Sequence, residues 1–131
     1  MDPNKMKKKR SSSGGGSRNI DDEGIKILFI CYQNQRRSPT AEKTWNRRAG
    51  VSARSAGIGL RAKQPVAVKD ILWADYVMVM EEKQKNRLAV DFDRALKDKQ
   101  IHVLNIAEGA KFMDPDLVAQ FEADVAKIIY P

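Results

Sequence analysis

The sequence predicts a three-layer α/β domain: a four-stranded parallel sheet flanked by helices. Three observations predict it. Short apolar runs recur four times after residue 24, and segments with helical spacing lie between them. The helical segments are long enough to cross the sheet. Strands joined that way imply right-handed crossovers, hence parallel strands covered on both faces.

Residues 1–24 read as a disordered tail. Lys7-Lys8-Lys9-Arg10 is followed by Ser11-Ser12-Ser13-Gly14-Gly15-Gly16-Ser17, a flexible composition that buries no core. The basic run reads as a solvated tail or a cloning remnant. Its alternative is a nuclear-import signal or a contact with an anionic partner, nucleic acid or lipid. The domain then occupies residues 25–131. Ile25 to Ile30 is a short, mostly apolar run, as in a buried parallel strand. A helix is predicted from Pro39 to about Arg48, with Ala41, Trp45 and Ala49 on one face. Val51 to Ser55 is a second strand. Pro65 to Trp73 is a helix opened by its proline. Asp75 to Met80 is the third strand, with Met78 and Met80 as core. Residues 82–98 are helical, with Leu88, Phe92, Ala95 and Leu96 at helical spacing. Ile101 to Ile106 is the fourth strand and holds His102, read as structural. The last helix runs from Pro115 to Ile129 with the stripe Leu117, Val118, Phe121, Val125, Ile128 and Ile129.

A chain of 131 residues fits one domain. Its single cysteine excludes an internal disulfide framework and a CxxC zinc site, and fits a reducing compartment such as the cytoplasm. If Lys7-Arg10 is an import signal, the nucleus is the alternative. No apolar run approaches the ~18–20 residues of a transmembrane helix. The basic N-terminus lacks the apolar stretch of a signal peptide. The net charge of +7 favours anionic partners without choosing among them.

Ligands in such folds bind beyond the carboxyl ends of the strands. The residue placed there, after Ile30, is Cys31. The stretch Cys31-Tyr32-Gln33-Asn34-Gln35-Arg36-Arg37-Ser38-Pro39-Thr40 turns directly from strand to helix. Ser38 fits the N-cap and Pro39 the first helical position. Inward-pointing loop N–H groups and the helix dipole would make an anion cradle. Arg37 adds a planar fork suited to bidentate phosphate contact. A thiol in that field suggests covalent catalysis through phosphocysteine.

The C-x5-R-S pattern at the end of the first strand closely resembles the low-molecular-weight protein tyrosine phosphatase family, in its compact bacterial type. Ser38-Pro39-Thr40-Ala41-Glu42 is similar to the family's S-P-x-A-E helix start. Ser55-Ala56-Gly57 is similar to its second-strand serine motif. Trp73 to Met80 resembles its third strand, and Asp114-Pro115 its D-P pair. The resemblance implies a phosphate loop between the first strand and the first helix. It implies Cys31 as nucleophile, Arg37 and the amides of residues 32–38 as phosphate ligands, and Asp114 as general acid and base. It also implies that Asn34 holds a left-handed position, that Ser38 donates to the thiolate, and that Ser55 supports the loop. The substrate would be a phosphorylated protein or a small phosphomonoester, with no metal or cofactor.

Tyr32 would wall the pocket or pack under the loop. Gln33 stands where a loop glycine is common and would contact substrate, as would Gln35. Arg36 stands where many members carry a second cysteine, so no disulfide with Cys31 can form within the chain. Asp116 and Leu117 follow the D-P pair in place of pocket aromatics. An Asp-Pro before an apolar helix also reads as a plain helix start, with Asp116 as the fallback acid. Two alternatives remain: a catalytically idle phosphate-binding module, and an arsenate reductase served by an external thiol.

Overall fold

A computed structural model describes residues 24–131. The Lys7-Arg10 run and the Ser/Gly segment lie outside the described residues. Strand β1 (Ile25–Cys31) is the second strand of a four-stranded parallel sheet, ordered β2-β1-β3-β4, with β2 at Val51–Gly57, β3 at Tyr76–Val79 and β4 at Ile101–Val103. The order grows outward in opposite directions from β1, so the topological switch falls at the end of β1, where Cys31 stands.

Side-chain alternation along β1 builds both halves of the core. Ile27, Phe29 and Cys31 face one layer, with Met78 and Met80. Helices α1 (Arg37–Trp45) and α4 (Pro115–Ile129) cover it through Ala41, Trp45, Leu117, Phe121, Val125 and Ile129. Leu28 and Ile30 face the other layer with Val77 and Val79, under α2 (Val68–Trp73) and α3 (Glu82–Asp91). Trp45 Nε1 donates to the Phe121 carbonyl at 3.1 Å and ties α1 to α4. Residues 27–30 are fully buried, which explains why β1 reads as an unbroken apolar run. No helix among the described residues is long and apolar enough to cross a membrane.

Several element ends differ from the sequence expectation, each for a local reason. Helix α1 starts at Arg37, so Ser38 is not its N-cap; Pro39 still falls in the first turn, where its missing N–H costs nothing. The helix stops at Trp45 because the Asn46 side chain pairs with both backbone groups of Ala53, at 3.0 and 2.7 Å. Ala49 is therefore exposed. Strand β2 runs two residues past Ser55, with Ala56 and Gly57 opposite Ile30 and Cys31. Pro65 does not open α2; it bridges to Gly57 and the helix begins at Val68. Helix α3 ends at Asp91, and residues 92–98 continue as turns that still bury Leu96. β4 ends at Val103, since Asn105 takes a left-handed φ of 59° that breaks the ladder. Leu104 and Ile106 nevertheless donate to the Val79 and Met80 carbonyls. His102 packs its ring against Tyr76 at 5.9 Å, and burial lowers its pKa from the ordinary histidine value.

Candidate active site

The loop between β1 and α1 is clamped from behind. The carbonyls of Cys31, Tyr32 and Gln33 accept from the N–H groups of Ile58, Gly59 and Lys63 at 3.2, 2.9 and 3.0 Å. In a planar trans peptide the following N–H points opposite the carbonyl. The N–H groups of Tyr32, Gln33 and Asn34 are thereby turned away from the 58–63 segment. That of Asn34 reaches Cys31 Sγ at 3.2 Å. Those of Tyr32, Gln33, Gln35 and Arg36 bond to no acceptor among the described residues.

The clamp leaves no room for a Cβ at Gly57 and little at Gly59. A Cβ on Gly57 would lie 2.7 Å from the Tyr32 carbonyl and 2.6 Å from Ala62 Cβ. One on Gly59 would press on the Tyr32 ring at 3.0 Å.

A buried polar network sits under the thiol. Ser38 Oγ lies 2.9 Å from Cys31 Sγ and accepts from Asn34 Nδ2 at 3.0 Å. Ser38 Oγ also donates to the Ala56 carbonyl, at 3.4 Å. With the Asn34 N–H at 3.2 Å, the sulfur has two hydrogen-bond partners. Asn34 holds φ at 58°, a left-handed conformation that asparagine tolerates better than most residues.

Arg37, in the first turn of α1, is buried. Its Nη1 donates to Glu81 Oε2 and to the Ile106 carbonyl, both at 2.7 Å. Its Nη2 meets Glu108 Oε2 at 3.4 Å. Both Nη1 hydrogens are thus committed. Nε and the second Nη2 hydrogen have no partner among the described residues, and they form the side-on fork that matches two oxygens of a phosphoryl group. The Arg37 guanidinium holds the Glu81 carboxyl below its ordinary value; Lys83 adds to this, and partial burial opposes it.

Cys31, Tyr32, Gln33, Gln35, Arg36 and Arg37 line a single cavity of about 460 Å³. Asn34 and Ser38 are buried and bonded to the sulfur or to each other. Two expected residues are placed differently. Ser55 does not join the network; its hydroxyl bonds to Glu42 on α1, and β2 meets the loop through the Ala56 carbonyl instead. Asp114 does not line the cavity. Its Oδ1 caps α4, accepting from Asp116 N at 2.9 Å and Leu117 N at 3.3 Å. The turn before it is held by Thr40 Oγ1, which accepts from Met113 N at 2.9 Å, with Met113 at a left-handed φ of 62°.

Glu81, Glu108 and Thr40 were not singled out from sequence. The first two bond to Arg37 across 44 and 71 residues, a separation no local spacing encodes. For Thr40 the helix-start motif was the one available signal. No group of three or more histidine, cysteine or acidic side chains among the described residues could hold a metal.

No family model matches the sequence, and no curated protein matches it. Solved structures do. The low-molecular-weight protein tyrosine phosphatase from T. tengcongensis superposes with a TM-score of 0.64 at 17% identity, over 82% of this chain and 99% of that one. The YwlE arginine phosphatase from Geobacillus stearothermophilus gives 0.60 at 20% identity, over 81% and 93%. The tyrosine phosphatase Wzb from Escherichia coli K30, in complex with phosphate, gives 0.60 at 16% identity, over 82% and 97%. The chain therefore has the fold of the low-molecular-weight protein tyrosine phosphatases.

Proposed function

We propose that the protein is a cysteine-dependent phosphomonoester hydrolase that works through phosphocysteine, with phosphotyrosine in proteins as the first candidate substrate. The observation that carries this reading is the pairing of a doubly hydrogen-bonded Cys31 sulfur with the free edge of Arg37 in one cavity. A site that only held phosphate would need no thiol. The lone cysteine also speaks against an internal thiol relay for arsenate. Tyr32, 43% exposed at the cavity wall, offers a flat face to an aromatic substrate. A thiol that must stay reduced to act fits the cytoplasm.

In the first step the Cys31 thiolate attacks phosphorus, an S–P bond forms, and the bond to the leaving oxygen breaks. Arg37 and the loop amides hold the equatorial oxygens. Asp114 protonates the leaving oxygen. In the second step water attacks phosphorus, Asp114 takes its proton, and the S–P bond breaks to return the thiolate. Asp114 would use Oδ2, the oxygen not engaged in the α4 cap.

Two tests apply. Hydrolysis of p-nitrophenyl phosphate should proceed at full rate in EDTA, because Arg37 and the amides carry the charge stabilisation; activity lost to chelator and restored by a divalent ion would sink the mechanism. Asp114→Ala should slow phenyl phosphate by about 10²–10⁴-fold, and p-nitrophenyl phosphate far less, since a good leaving group needs no proton. An equal loss on both would assign the acid elsewhere.

A further inference from the structure

Of the described residues that line the Cys31 cavity, Glu108 alone is a carboxylate. It arrives from the segment after β4, and its side chain is 69% exposed. The two acids on Arg37 differ in place and therefore in role. Glu81 sits close, at 2.7 Å, is 26% exposed, and shares Nη1 with the Ile106 carbonyl; it positions the guanidinium. Glu108 meets Nη2 at 3.4 Å, on the nitrogen whose second hydrogen belongs to the free fork. A dianion on that fork comes up beside the Glu108 carboxylate and shares Nη2 with it. The carboxylate, mostly exposed at the cavity wall, stands beside whatever carries the phosphoryl group. Near the phosphate position, Arg36 and Arg37 supply two positive charges, and Glu81 and Glu108 supply two negative ones. Small changes in charge there should register in selectivity.

We propose that Glu108 sets the charge selectivity of the pocket. It weakens binding of free oxyanions, disfavours substrates with negative charge next to the phosphoryl group, and so favours phosphoryl groups on neutral or cationic carriers. This rests on the phosphatase reading above.

The test compares the full-length protein with Glu108→Gln and Glu108→Asp. Three aryl phosphates serve as substrates, carrying a para nitro, carboxylate or trimethylammonium group, and inorganic phosphate serves as inhibitor. Variant-to-wild-type ratios cancel leaving-group differences. In Glu108→Gln the inhibition constant for phosphate should fall about two- to fivefold, the scale of a solvent-exposed ion pair. kcat/KM should rise most for the carboxylate ester and least, or fall, for the cationic one. Added salt should compress that spread. Glu108→Asp should keep the wild-type order of preference. The inference is overturned if all three esters change by one common factor with phosphate inhibition unmoved, or if the aspartate variant behaves as the glutamine one. A wild-type protein that hydrolyses none of the esters and binds no phosphate overturns the phosphatase reading itself, and this inference with it.

Discussion

Replacing Cys31 by serine is expected to lower turnover of p-nitrophenyl phosphate by roughly 10⁴-fold or more, while phosphate still binds within about threefold of wild type. The hydroxyl is not ionised near neutrality, and the two groups bonded to the sulfur, Ser38 Oγ and Asn34 N, cannot supply a nucleophile in its place. Binding should survive because the parts that hold the oxyanion are independent of that atom. The loop carbonyls stay bonded to Ile58, Gly59 and Lys63, so the amides keep their direction. Arg37 stays anchored to Glu81 and the Ile106 carbonyl. Steady-state assays and calorimetric titration with phosphate measure the two effects separately. Retention of more than about one per cent of activity would mean that Cys31 is not the nucleophile.

What the sequence made legible follows from what is local. β1 is a continuous apolar run because it is buried on both faces, and α4 shows its stripe because only one face is covered. Cys31 at the strand end and Arg37 in the first helical turn fall within one short stretch, so a pattern along the chain could locate them. Ends set by tertiary partners were not legible. Pro65 looks like a helix opener until its bridge to Gly57 is seen. Ser38 looks like an N-cap, yet its hydroxyl is turned under the sulfur. Ser55 carries the expected motif but spends its hydroxyl on Glu42. The acids on Arg37 lay furthest beyond reach. Nothing near Glu81 or Glu108 in the chain marks them, and only the parallel arrangement of β1, β3 and β4 brings their loops to one end of the sheet.

Arg37→Lys should cost about 10³-fold in kcat/KM and destabilise the fold as well, a pairing of effects that separates it from Cys31→Ser. A lysine presents a single ammonium in place of a rigid fork, so it cannot anchor with one nitrogen and bind phosphate side-on with another edge. The Ile106 carbonyl, buried against Nη1, would lose its donor, a cost of about 1–3 kcal/mol. The loss should depend on pH with a definite sign. The native Glu81 carboxyl is held below its ordinary value of 4.5, chiefly by Arg37. Its pairing therefore contributes fully above pH 4.5 and fades as pH falls through the lowered native value. Removing the partner with Arg37→Ala deletes that contribution. Urea midpoints for wild type and Arg37→Ala should stand furthest apart near pH 7 and draw closer in acid, with a residual gap from the Ile106 carbonyl. A gap that stays constant or widens as the pH drops would mean that Glu81 draws nothing from Arg37. The fork would then owe its orientation to the Ile106 carbonyl and to the packing of α1.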